Sequence, residues 1–292
     1  MDITLALGGG GSKGYAHIGV IRALEKEGFN IRGIAGTSAG GLTAAIYAVG
    51  FSPDEILEKA GQIRQDTLYG FGRGLGILGT KGIQQALSHF ISDETFLDLR
   101  IPCALTAVDI RDKQEINLQE GKLLDALLAT IAFPGIFPPK VWGEHLLVDG
   151  FVLNPIPVKV ARSLAPNLPV IAVSLTPDPS KWKEISTWGE VPANPLLRPI
   201  SRLRVAQAFE IYLQSMDMTS HMLGEVRLEI EKPEIIIRPN VRHIGQLDRV
   251  DPREVALLGD EAVIESRQEI KNLIHKKTRK RLFKKSRILT AS

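Results

Sequence analysis

The chain has 292 residues, 44% apolar and 24% charged, enough for one large globular α/β domain or two small ones, and unlike a disordered, collagen-like or disulfide-stapled chain. Its net charge of +3 is unevenly placed: residues 271–292 hold nine Lys or Arg and no Asp or Glu, leaving the rest at −6. The lone cysteine, Cys103, allows no internal disulfide, which fits a reducing compartment.

Ile3 to Leu7 is an apolar run that predicts a strand, leading into Gly8-Gly9-Gly10-Gly11-Ser12-Lys13-Gly14. Met1-Asp2-Ile3-Thr4 shows no basic stretch followed by an apolar one, so no secretory signal is expected. Tyr15 to Lys26 has Ile18, Ile21 and Leu24 at helical spacing and is stopped by Gly28. Ile31 to Ala35 predicts a second strand, and Ala39 to about Val49 a helix. Ser52-Pro53-Asp54-Glu55 is a capping box with proline at the first helical position, opening a helix to about Ile63. Gly33 to Phe51 is uncharged for 19 residues, near the length of a membrane span, but contains five glycines; a tight turn inside a core explains it better.

Tyr69 to Gly79, with five glycines, predicts a loop, either a mobile cover or a plain surface loop. A helix is expected from Lys81 to about Ile91, and strands over Ile101 to Asp109 and Gln114 to Leu118. Cys103 falls in the first of these and reads as a buried bystander. Leu123 to Ala132 predicts a helix ended by Pro134, and strands recur at His145 to Val148 and Leu168 to Leu175. Thr176 to Pro199 carries five prolines and two tryptophans and reads as an irregular excursion. Ile200 to about Leu223 predicts a long helix, Glu234 to Arg238 a last strand, and Asp251-Pro252 opens a final helix running into the basic tail. Strands alternating with helices imply α/β architecture, with a largely parallel sheet covered on both faces. For the tail three readings stand open: contact with anionic lipid, nonspecific nucleic-acid binding, or a solvated end. No specific nucleic-acid partner is expected.

Between the second strand and its helix lies Gly36-Thr37-Ser38-Ala39-Gly40, the G-x-S-x-G pattern in the strand–turn–helix setting of a nucleophile elbow. The same pentapeptide also arises in ordinary turns, so its weight comes from context. A serine nucleophile needs an oxyanion site and a base. The glycine run sits between the first strand and first helix, where its N–H groups face a neighbouring strand end. A dinucleotide site lacks its acidic residue about 20 positions on, and a phosphate P-loop lacks its Gly-Lys-Ser/Thr spacing. Lys13 adds positive charge there or is simply solvated. Six histidines are present, at 17, 89, 145, 221, 243 and 275. His221 and His243 suit a triad by chain order alone, and His17 suits packing. The better base is Asp149, at the end of an apolar strand, followed by Gly150 and the stiff Asn154-Pro155-Ile156-Pro157.

Together, Gly9 to Gly14, Gly36 to Gly40 and Asp149-Gly150 resemble the three motifs of the patatin-like phospholipase family. Tyr15 to Val20, Phe133-Pro134-Gly135-Ile136-Phe137-Pro138-Pro139 and Asn154 to Pro157 extend the likeness over residues 5–162. The resemblance implies a three-layer fold and a Ser38–Asp149 dyad with no histidine. It implies an oxyanion hole from the N–H groups of Gly9, Gly10, Gly11 and Ser12, supported by Lys13, Gly14, Gly36, Gly40 and Gly150. It implies hydrolysis of acyl esters of phospholipids, lysophospholipids or related lipids through an acyl-enzyme, without metal or cofactor. Acyl transfer on the same dyad and a non-catalytic lipid-binding adaptor are the alternatives. Residues 163–270 are expected to continue the same domain, followed by the tail at 271–292. A cytoplasmic location is expected, with the tail as a route to peripheral membrane contact. One departure is Phe151, where the family pattern has Gly or Ala; it leaves Asp149 and Gly150 in place and bears on the acyl pocket.

Overall fold

The computed structural model describes residues 1–68, 76–179 and 204–275. Among them, one sheet contains β1 (Asp2–Leu7), β2 (Asn30–Thr37), β3 (Cys103–Asp109), β4 (Gln114–Leu118), β5 (Lys140–Trp142), β6 (His145–Asp149), β7 (Val170–Val173) and β8 (Ile235–Ile237). Their order is β5-β6-β3-β2-β1-β7-β8, with β4 also paired to β3. The β8, β7, β1, β2 and β3 pairings are parallel; those of β4 and β6 with β3, and of β5 with β6, are antiparallel. The helices are α1 (Ala16–Lys26), α2 (Ala39–Val49), α3 (Pro53–Gln62), α4 (Gln65–Leu68), α5 (Lys81–Leu87), α6 (Leu123–Thr130), α7 (Val158–Leu164), α8 (Arg204–Glu231) and α9 (Pro252–Glu265).

Strand alternation sorts side chains by size onto the two faces. Ile3, Leu5, Leu7, Ile34, Leu105, Ile171 and Val173 share one buried cluster with residues of α1, α2, α6 and α9. The opposite face carries alanines in register: Ala6 pairs with Ala35 and Ala172, and Ala35 with Ala104. Small side chains across four neighbouring strands let α7 lie close, packing Val158, Val160 and Ala161 there. The predicted three-layer arrangement, a mostly parallel sheet between helices, is the one observed.

The capping box forms as expected: Ser52 Oγ accepts from the Glu55 N–H, and Glu55 accepts from the Ser52 N–H. Other boundaries move. β2 extends to Thr37, α8 runs on to Glu231, and β5, α4 and α7 are further elements that the sequence pattern does not mark. The final helix is not continuous. It turns at Ser266, whose hydroxyl donates to the Ala262 carbonyl four residues back, before residues 267–275 become helical again. Most of the Tyr69–Gly79 loop, the Thr176–Pro199 excursion from 180 onward, the first residues of the long helix and the tail from 276 lie outside the described residues. No helix among the described residues is long and apolar enough to cross a membrane; Gly33 to Phe51 is instead strand, turn and helix.

Candidate active site

Because β1, β2 and β3 run parallel, their carboxyl ends and the loops after them open on the same side of the sheet. β2 hands over to α2 at Ser38, which has φ 54° and ψ −124° and caps the helix. A non-glycine residue in that region is strained, and it persists because its surroundings fix it. A Cβ on Gly36 would stand 2.3 Å from the Gly40 carbonyl oxygen, and one on Gly40 2.3 Å from that of Leu7. The elbow is therefore too tight for side chains at either position. The Ser38 N–H donates to Thr130 Oγ1 at 3.0 Å, and that hydroxyl donates to the Thr106 carbonyl at 2.7 Å.

Ser38 Oγ lies 2.6 Å from Asp149 Oδ2, the carboxylate accepting. Asp149 ends β6 and caps the 3-10 turn Gly150–Val152, its Oδ1 accepting the Phe151 N–H at 2.8 Å. The residue is fully buried. Burial pushes its carboxyl up to about 7, against the opposing hydrogen bonds from Ser38 and Phe151. The two residues are 111 apart in sequence and meet because β6 joins the sheet beside β3. Phe151 leaves this turn intact, since its backbone serves Asp149. Its ring turns inward, 3% exposed, against Phe133 and edge-on to His221. Gly9 makes room for it: a Cβ there would stand 2.7 Å from the Phe151 ring.

The glycine loop is adjacent, but it offers fewer donors than the four expected. The Gly9 N–H donates to the Pro155 carbonyl at 3.0 Å and the Ser12 N–H to that of Gln246 at 2.8 Å, with the Ser12 hydroxyl on the Asp248 carbonyl. Both N–H groups are committed to holding the loop in place. Gly10 and Gly11 line the same cavity as Ser38, and no described hydrogen bond engages their N–H groups. The candidate oxyanion donors are thereby narrowed to these two. Gly14 packs against Ala39 of the elbow, and Gly150 against Thr106. Lys13 is largely buried near Asp217 and Asp248; burial lowers its ammonium, and the two acids pull the other way.

No described hydrogen bond joins a histidine to Ser38 or Asp149. His243 is exposed. His221 pairs with Asp217 at 3.3 Å, and Asp109 holds His145 at 2.6 Å. His17 has more than a packing part: fully buried, its Nε2–H donates to the Gly8 carbonyl at 2.7 Å, and burial drives its pKa down to about 4. It is a neutral donor fixing the peptide before the glycine loop. The cysteine is the buried bystander expected, its thiol pushed far up by burial.

A family profile described as patatin-like phospholipase matches residues 5–162. An uncharacterised NTE family protein of Mycobacterium tuberculosis is 36% identical over 177 residues, 59% of this chain and 49% of that protein. Patatin-like phospholipase domain-containing protein 7 of Rattus norvegicus is 30% identical over 182 residues, 59% of this chain and 13% of that protein. The chain thus spans about half, or less, of the length of these curated relatives. VipD from Legionella pneumophila shares the fold, with a TM-score of 0.57 at 13% identity, over 90% of this chain and 66% of that one. With the profile covering more than half of its length, the chain belongs to the patatin-like phospholipase family.

Proposed function

We propose that this protein is a serine hydrolase of acyl lipid esters, working through a Ser38–Asp149 dyad. The observation that carries the reading is the 2.6 Å hydrogen bond from a strained serine hydroxyl to a fully buried carboxylate. Asp149 takes the proton as Ser38 Oγ attacks the ester carbonyl, and the N–H groups of Gly10 and Gly11 face the oxygen that becomes negative. The collapsing intermediate expels the alcohol, which takes that proton from Asp149. Asp149 then deprotonates a water that attacks the acyl-serine; the fatty acid leaves and Ser38 regains its proton. A carboxylate is a weak base at its ordinary pKa, and burial brings Asp149 close to neutrality, where proton transfer is most effective.

The test is release of fatty acid from radiolabelled phospholipid and lysophospholipid. Free acid supports hydrolysis. Acyl groups appearing on an added alcohol instead would indicate acyl transfer, and no turnover of any ester would indicate an adaptor. Within this mechanism, His17→Phe is expected to lower kcat at least about 10-fold with little change in KM, because a loop displaced by a fraction of an ångström misplaces the donors. His17→Gln, which restores an N–H near Gly8, should recover part of it. Equal kcat in His17→Phe and wild type would show that the loop does not depend on this bond.

A further inference from the structure

The short turn after Asp149 is bonded to every segment of the candidate site. The Asn154 N–H donates to the Gly150 carbonyl at 2.8 Å, closing the turn directly behind Asp149. The Asn154 carbonyl accepts from Thr37 Oγ1 at 2.8 Å, and Thr37 immediately precedes Ser38. The next carbonyl, that of Pro155, accepts the Gly9 N–H at 3.0 Å. Nucleophile, base and glycine loop thus share one piece of backbone, and a shift of that piece moves all of them.

Charged side chains outside the cavity hold this turn. Asn154 is fully buried, and its Nδ2 donates to Glu115 Oε1 of β4 at 2.8 Å. Glu115 Oε2 pairs with Arg227 Nη2 of α8 at 3.3 Å, and Arg227 Nη1 donates to the Leu153 carbonyl at 3.1 Å. Two successive residues of the turn are therefore gripped, one by its carbonyl and the other by its side-chain amide. Glu231 fixes the guanidinium through Oε1, 2.9 Å from Nη2, and its Oε2 accepts the Lys159 N–H in the first turn of α7 at 2.7 Å. The side chains of Glu115, Arg227 and Glu231 are at most 21% exposed. Exposed ion pairs hold geometry weakly, but here a planar guanidinium meets several shielded acceptors in fixed directions. Glu115, Asn154 and Arg227 do not line the cavity beside Ser38, so they reach the chemistry only through the turn. Arg227 also lies beyond residues 5–162, the stretch that the family profile matches.

Resting on the dyad reading above, we propose that Glu115 and Arg227 are positioning residues, which hold Leu153 and Asn154 and thereby set the approach of Ser38 to Asp149 and the seat of the glycine loop.

The test measures kcat and KM on p-nitrophenyl butanoate, with a melting curve for each protein. Arg227→Met keeps the aliphatic stem and removes every donor. Its kcat is expected to fall about 10- to 100-fold at nearly constant KM, the scale of displacing reacting groups by up to about 1 Å. Asn154→Asp sets two carboxylates against each other and is expected to lower kcat as well. Adding Glu115→Gln to Asn154→Asp reverses donor and acceptor, and should recover most of that loss. Arg22→Met serves as the stability control, since it removes an ion pair with Asp260 that touches none of these segments. It should lower the melting temperature and leave kcat near that of wild type. A kcat for Arg227→Met near that of wild type, or an equal fall in Arg22→Met, would overturn the proposal. If Arg227→Met does not fold, the reversal decides: a double variant no more active than Asn154→Asp alone would overturn it. The dyad reading stands through these outcomes as long as wild type turns the ester over and Ser38→Ala does not. A wild type without turnover of any ester would remove both.

Discussion

Ser38→Ala is expected to lower ester turnover by about 10⁴- to 10⁶-fold, the range seen when a serine hydrolase loses its nucleophile. The substitution removes the hydroxyl that bonds Asp149 and keeps the Cβ, so the elbow and its contact with Thr130 survive. In the proposed mechanism that hydroxyl acts in the chemical step. The loss should therefore appear in kcat, and the thermal midpoint should shift little. Steady-state kinetics on a p-nitrophenyl ester, beside a melting curve, separates this from misfolding. Turnover within about 10-fold of wild type would remove Ser38 from the chemistry.

Asp149→Asn should have two effects of opposite sign. Activity should fall about 10⁴-fold, since an amide cannot take the Ser38 proton. Stability at neutral and alkaline pH should rise. The Asp149 carboxyl has its folded pKa raised from 3.8 to about 7 by burial. A raised folded pKa means that the folded state favours the protonated form. Its contribution to stability is full below about pH 4 and is lost as pH climbs through about 7. Above that, wild type carries a buried charge costing on the order of a few kcal/mol. Asparagine matches the shape, accepts from the Phe151 N–H and carries no charge. The gain in melting temperature of Asp149→Asn over wild type should therefore be small near pH 4 and grow up to pH 8. A gap that stays constant with pH would show that the carboxyl is not desolvated as described. A site that trades stability for reactivity in this way follows the common pattern of functional residues.

Much of this arrangement was legible in the sequence. Ser38 announces itself through Gly36 and Gly40, because the elbow leaves no room for side chains there and so writes itself into the chain. Asp149 is readable as the polar end of an apolar strand. Local signals also placed β1, α2, β4 and the capped start of α3. What escaped depends on contacts between distant residues. Thr130 holds the Ser38 backbone from 92 residues away, and nothing around Thr130 marks it for that task. Gly9 and Ser12 looked like free donors, yet tertiary partners at Pro155 and Gln246 had already taken their N–H groups. β5 has only three residues, two of them half-buried and Val141 exposed, too few to show an alternation. α7 follows two prolines that read as a stiff turn, and its burial comes from the alanine row beneath it. The effect of Phe151 was invisible without Gly9, since the absent Cβ of one residue accommodates the ring of the other.

The most direct test of the dyad is covalent. Wild type and Ser38→Ala are treated with a fluorophosphonate across pH 5 to 9, and the adduct is located by peptide mass spectrometry. A single adduct on Ser38 is expected, forming at a rate that rises through about pH 7 as Asp149 ionises, with no labelling of Ser38→Ala. An adduct on another residue, or equal labelling of both proteins, would contradict it.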